Sequence, residues 1–149
     1  VQAQVEFQPR SETERAGLVL YASERSHIQL LIAHAPTGRE VQAWQRDRED
    51  AADRCLGRMP VQDGPVVLSI TAQDDRLAYA AGRPGTVPTM IAEGDARLLS
   101  DERSWTSNGA WYGCYATGGG RTTDTWAIFT DCRHDPLTGR QAEAVQSGT

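Results

Sequence analysis

Several groups of side chains have types and spacing that invite a chemical reading. Asp47, Glu49, Asp50 and Asp53 concentrate carboxylates in one short stretch. A calcium loop needs its oxygen ligands in a DxDxDG register with glycine at the bend. That register is missing, and Arg46, Arg48 and Arg54 interleave with the acids, so the stretch reads as a solvated, ion-paired surface. His27, His34 and His134 lack zinc spacing, and a strand carrying both His27 and His34 would send them to opposite faces. Cys132-Arg133-His134 offers two ligands without companions. No metal site and no cofactor is expected. Gly118-Gly119-Gly120 has the composition of a phosphate cradle, but no Lys-Ser/Thr follows and no helix opens there. A bend between strands is the better reading. There is no Gly-x-Ser-x-Gly elbow and no activated-cysteine setting. The acids do not single out a carboxylate pair, so no catalytic residue is assigned.

The aromatics carry more weight. Trp44, Trp105 and Trp111 fall near expected strand ends or in loops, where an indole face can stack on a ligand. Trp111 and Trp126 are read as core, because large aromatic rings dominate core energetics. Trp105, between Ser104 and Thr106 in a polar loop, is read as exposed. Cys114 and Cys132 lie in the two arms of an expected hairpin and are expected to be neighbours. They are taken as buried thiols rather than a bridge, since free cysteine is among the most buried residue types.

The elements that must position these residues are strands. Val1, Ala3, Val5 and Phe7 alternate with Gln2, Gln4, Glu6 and Gln8, the period of a half-buried strand. Ala16 to Ala22 is a continuous apolar run, short enough for a strand buried on both faces. Ile28, Leu30 and Ile32 share one face of the next strand, and Arg39 to Gln45 forms another with Trp44 opposite Val41. Residues 46–60 read as a solvated loop or short helix, stopped by Gly57 and Pro60. Val66 to Ala72 and Leu77 to Ala81 alternate cleanly about Gln73-Asp74-Asp75 and form a hairpin. A short strand follows at Val87 to Ala92, then a loop at 94–102 carrying two buried leucines. Ala110 to Gly120 and Asp124 to Phe129 read as a C-terminal core hairpin. Eight or nine short strands with no helix predict a two-sheet antiparallel β-sandwich over residues 1–132, followed by a polar, disordered tail at 133–149.

The chain has 149 residues, enough for one domain with a real core. Its basic residues are all arginine, and the formal net charge is −5. A negative balance argues against a general nucleic-acid or anionic-membrane binder. No apolar run reaches the roughly 20 residues of a membrane span. No signal peptide is visible, the first residue is not methionine, and the compartment stays open.

Several segments in order resemble a known family. Val5-Glu6-Phe7-Gln8-Pro9, Ala16-Gly17-Leu18-Val19-Leu20-Tyr21 and His27 are similar to the C-terminal concanavalin A-like sandwich of glycoside hydrolase family 43. Pro65-Val66-Val67-Leu68-Ser69-Ile70, Gly94 to Glu102 and Gly113-Cys114-Tyr115-Ala116-Thr117-Gly118 continue the likeness. The resemblance implies a jelly-roll accessory domain attached to a five-bladed propeller in the same polypeptide. That propeller would carry the catalytic carboxylates of a β-xylosidase or α-arabinofuranosidase, so this chain alone is expected not to be an enzyme. The resemblance also implies further strands ahead of the Val5 strand, which this sequence lacks. Ser107 stands where the family has an aromatic, with Trp105 a substitute. The closing pattern becomes Trp126-Ala127-Ile128-Phe129, without its acid. On this reading Trp105, His27, Tyr21 and Trp44 are the residues expected to reach a xylo- or arabino-oligosaccharide or the propeller. The rivals are a stand-alone lectin-like binding module and a purely structural interaction domain.

Overall fold

The computed structural model describes residues 1–100 and 109–135. Its strands are β1 (Gln2–Phe7), β2 (Arg15–Ser23), β3 (Ser26–Ala35), β4 (Gly38–Arg46), β5 (Asp53–Val61), β6 (Val66–Gln73), β7 (Arg76–Gly82), β8 (Thr89–Asp95), β9 (Trp111–Thr117) and β10 (Ala127–Arg133). A 3₁₀ turn spans Ala96–Leu99. The strands form two five-stranded sheets, one ordered β10-β1-β6-β7-β8 and the other β5-β4-β3-β2-β9. Every pairing is antiparallel. This is the two-sheet sandwich that the alternation predicts. No helix among the described residues is long and apolar enough to cross a membrane.

Alternation builds the core. Ala3, Val5 and Phe7 of β1 meet Val66, Leu68 and Ile70 of β6 and Leu77, Tyr79 and Ala81 of β7 on the inner face of the first sheet. Ala16 and Leu18 of β2, Ile28, Leu30 and Ile32 of β3, and Val41 and Ala43 of β4 supply the opposing face. All of these side chains are buried. Two polar groups bracket the layers. Arg39 is buried and its Nη1 donates to Phe7 O at 2.7 Å, while Nη2 donates to Gly64 O at 2.7 Å and to Gln62 O. Ser26 Oγ donates to Leu98 O at 2.5 Å, tying the 3₁₀ turn to β3. Leu98 is buried and Leu99 partly so, as read for that segment.

The structure corrects the sequence reading at several points. Ala110 to Phe129 is not a hairpin: β9 pairs with β2, and β10 pairs with β1 in the other sheet. Each terminal strand takes a free sheet edge, and the glycine-rich segment crosses between the sheets. Trp111 and Trp126 are not core; they are 68% and 83% exposed. Cys114 and Cys132 are neighbours, with Sγ atoms 3.2 Å apart, but both are exposed. Residues 53–61 form the edge strand β5 rather than loop or helix, with Leu56, Met59 and Val61 packed on the core. Pro60 is tolerated because an edge strand has one unpaired side. The β2 run is buried on both faces only at Ala16–Leu18; further along, Tyr21 on the outer face is 39% exposed. The expected polar tail falls mostly on 136–149, outside the described residues.

Candidate functional site

The outer face of the second sheet gathers the polar and aromatic side chains into rows. Successive residues of a strand point to opposite faces, so residues directly opposite one another across the ladders stand side by side. The register gives one row of Trp111, Tyr21, His27, Arg46 and Asp53. Beside it lie Val19, Gln29, Trp44 and Cys55, and then Tyr115, Gly17, Leu31, Gln42 and Arg58. A groove of about 520 Å³ opens over these rows, with Tyr21, His27, Gln29, Arg46, Asp53 and Tyr115 among its walls. Leu31 lies on this outer face yet is only 1% exposed, so it forms a floor beneath the longer side chains.

Three of the four residues expected to reach a ligand therefore meet on one face: Tyr21, His27 and Trp44. Trp105 lies outside the described residues. The Tyr21 and His27 rings stack with centroids 6.0 Å apart and planes inclined by 17°. His27 Nδ1 lies 3.1 Å from Ser23 O. A carbonyl only accepts, so Nδ1 carries the proton of this bond and a neutral ring presents Nε2 as an acceptor.

Arg46 clamps Asp53 with two parallel bonds, Nε to Oδ1 and Nη2 to Oδ2, each 2.8 Å. Its Nη1 also donates to Glu24 O at 3.1 Å. The hydrogen bonding from Arg46 holds the Asp53 carboxyl below its ordinary value, against a smaller opposing effect of burial. The same pairing raises the Arg46 pKa. The bidentate geometry fixes a flat, charged wall at one end of the groove.

Trp44 is embedded differently. Its Nε1 donates to Gln42 Oε1 at 2.9 Å, and Gln42 Nε2 donates to Glu40 Oε1 at 2.7 Å. Arg58 Nη1 reaches the same Glu40 oxygen at 3.0 Å. The Arg15 and Arg58 guanidiniums sit 5.4 and 5.9 Å from the Trp44 ring centroid, within cation–π range. Trp44 thus has its N–H occupied and its ring attended by cations, which makes it a support for the face more than an open platform. Trp111 and Tyr115 extend this same face, and the sequence reading left both out of the site. The signal was their register opposite Tyr21 and Gly17, invisible until β9 is paired with β2 instead of with Asp124 to Phe129.

The acidic stretch is an ion-paired surface at Asp50 and Asp53, whereas Asp47 is buried at 6% exposure and accepts from Glu49 N at 3.3 Å. Asp50 pairs with Arg54, and Asp53 with Arg46. Among the described residues, no three His, Cys, Asp or Glu side chains cluster as metal ligands.

The sequence profile of the β-xylosidase C-terminal concanavalin A-like domain matches residues 1–134. This chain belongs to that family. A curated relative, the non-reducing end α-L-arabinofuranosidase BoGH43B of Bacteroides ovatus, is 29% identical over 127 residues, covering 85% of this chain and 24% of its own. The family-43 protein BlXynB of Bacillus licheniformis superimposes with a TM-score of 0.78 at 22% identity, over 86% of this chain and 25% of that one. The xylan β-1,4-xylosidase of Bacillus halodurans gives 0.75 at 20% identity, over 86% and 26%. These two structural likenesses speak for the fold. The chain spans about a quarter of the length of these relatives. The concanavalin A-like family places the described strands in a jelly-roll sandwich, in agreement with the two sheets above.

Proposed function

We propose that this chain is the non-catalytic accessory sandwich of a family-43-like β-xylosidase or α-L-arabinofuranosidase. It supports a catalytic propeller of the same polypeptide, and the outer face of its second sheet grips a xylo- or arabino-oligosaccharide. One observation carries the reading: 85% of this chain accounts for only 24% of an α-L-arabinofuranosidase. Most of that relative, with room for its reaction centre, lies outside the matched region. The groove supports the sugar-binding part. It joins the rings of Tyr21, His27 and Tyr115 to fixed polar groups on Gln29, Arg46 and Asp53. Apolar faces flanked by a few oriented polar groups suit the C–H faces and hydroxyls of a pyranose or furanose.

The test has two arms on the chain as it stands. An aryl xyloside and an aryl arabinofuranoside should not be turned over, and measurable turnover by the pure chain would overturn the non-catalytic assignment. Xylotetraose titrated into isotope-labelled protein should shift amide signals along β2, β3 and β4 around Tyr21, His27 and Arg46. Tyr21→Ala should weaken that binding roughly five- to tenfold while the fold persists. Shifts confined to other surfaces would remove the groove from the proposal. The same titration on Trp105→Ala tests the remaining candidate.

A second reading, a structural interaction domain, draws on a different surface. Trp126 and Ile128 are 83% and 52% exposed at the β10 edge of the first sheet. Large apolar side chains exposed together are a feature of contact surfaces.

A further inference from the structure

Cys114 sits on β9 and Cys132 on β10, the edge strands of different sheets, with no backbone ladder between them. On β9, Tyr112, Cys114 and Ala116 stand opposite Leu20, Leu18 and Ala16. Leu18 and Ala16 are core residues, so Cys114 projects toward the space between the sheets. On β10, Ala127 and Phe129 oppose Phe7 and Val5 and share their inward direction. Strict alternation would then turn Asp131 inward and Cys132 out. The ladder is interrupted there: Gln4 faces Thr130 but Gln2 faces Arg133, so Asp131 and Cys132 share the place opposite Ala3. Asp131 takes the left-handed φ of 52°, the mark of a bulge that re-aims the next side chain. The result brings the Cys132 Sγ to 3.2 Å from that of Cys114. Both residues are exposed, so a small oxidant can reach them.

We propose that Cys114 and Cys132 form a reversible redox site, an inter-sheet disulfide latch that closes the flank between β9 and β10. The oxidant is a low-molecular-weight disulfide such as oxidised glutathione. A thiolate of the pair attacks one oxidant sulfur, breaks its S–S bond and releases one thiolate, which takes up a proton. The second cysteine loses its proton and attacks the mixed disulfide, forming the protein S–S bond and releasing the second small thiol. The protein gives up two electrons and two protons, and the oxidant becomes two thiols. A reducing thiol runs the sequence backwards. The sulfur atoms need to approach by only about 1 Å to reach bonding distance. Cys55 stands apart, on β5 at the far edge of the second sheet, with its Sγ directed to Gly57 O at 3.6 Å. The bridge would tie together two strands that no backbone ladder joins, and it would shorten the excursions of the unfolded chain.

The experiment treats the whole chain with oxidised glutathione and then counts thiols. Of the three cysteines, one should remain reactive. Cleavage after Arg103, Arg121 and Arg133 places Cys114 and Cys132 on separate peptides, so a linked pair of peptides that separates on reduction identifies the bridge. The thermal midpoint should rise by about 5–10 °C on oxidation and fall back on reduction. Cys132→Ser should abolish the shift, and Cys55→Ser should keep it. Three persistent thiols, a bridge through Cys55 or between chains, or a linked pair with an unchanged midpoint would each overturn the latch.

Discussion

Glu14 shows how much one buried carboxylate can do. Only 6% exposed, it accepts from Arg10 N at 2.6 Å, from Thr125 Oγ1 at 2.9 Å and from Thr123 Oγ1. The Arg10 amide bond comes first among the causes that hold its pKa below the ordinary carboxylate value. Through Thr123 and Thr125 it also pins the crossing segment between β9 and β10 to the β1–β2 turn. A depressed folded-state pKa means that the unfolded chain takes up the proton first as pH falls. The stabilisation is therefore complete above the ordinary glutamate range and is lost as pH drops below about 4.5 toward the folded value. Glu14→Gln should lower the thermal midpoint at pH 7, and the gap from the native chain should narrow as pH falls below about 4.5. A gap that stays constant with pH would show that the ionised form makes no special contribution.

The elements divide into those that local pattern determines and those that the free edges of the sheets determine. The strands β1, β3, β6 and β7 were legible because each has one face for the core, and a one-residue slip would expose it. Tyr21, His27 and Trp44 were named through the family resemblance, and it is the strand register that puts them on one face. Their register follows from Ile28, Leu30 and Val41 facing inward. The strand β5 was hidden because Gly57 and Pro60 stop a helix yet fit an edge strand, and a charged turn precedes it. β9 and β10 were misplaced because proximity in sequence suggests a hairpin, whereas the open edges of β2 and β1 lie in different sheets. The aromatics misled for a related reason: Trp111 and Trp126 have the composition of a core and the position of a rim. Inside β2, Gly17 is a hidden requirement. A Cβ there would lie 2.0 Å from Leu30 O, so the β2–β3 pair closes only without a side chain. Gly17→Ala should cost about 1–3 kcal/mol in urea unfolding, with the groove around Leu31 disturbed as well. An unchanged midpoint would mean that β2 shifts freely at that point.

On the scale of the whole molecule, the two outer faces differ in kind. The second sheet presents charges and rings fixed by bidentate and cation–π contacts, a surface suited to a polar ligand. The first sheet ends at β10 with Trp126 and Ile128 open to solvent, beside a shallow recess formed by Glu6, Phe7, Gln8, Arg39, Gly64 and Pro65. Side chains this exposed contribute little to folding, so their replacement separates an interaction role from a structural one. The double variant Trp126→Ser, Ile128→Thr should keep its thermal midpoint within about 2 °C of the native chain. It should also sediment with less self-association at high concentration, because the apolar rim that invites contact is gone. A large fall in the midpoint would mean that Trp126 packs on the sandwich in solution and belongs to its stability. An unchanged midpoint with unchanged association would leave the polar face of the second sheet as the surface through which this domain meets its surroundings. The interaction-domain reading would then lose the observation that favours it.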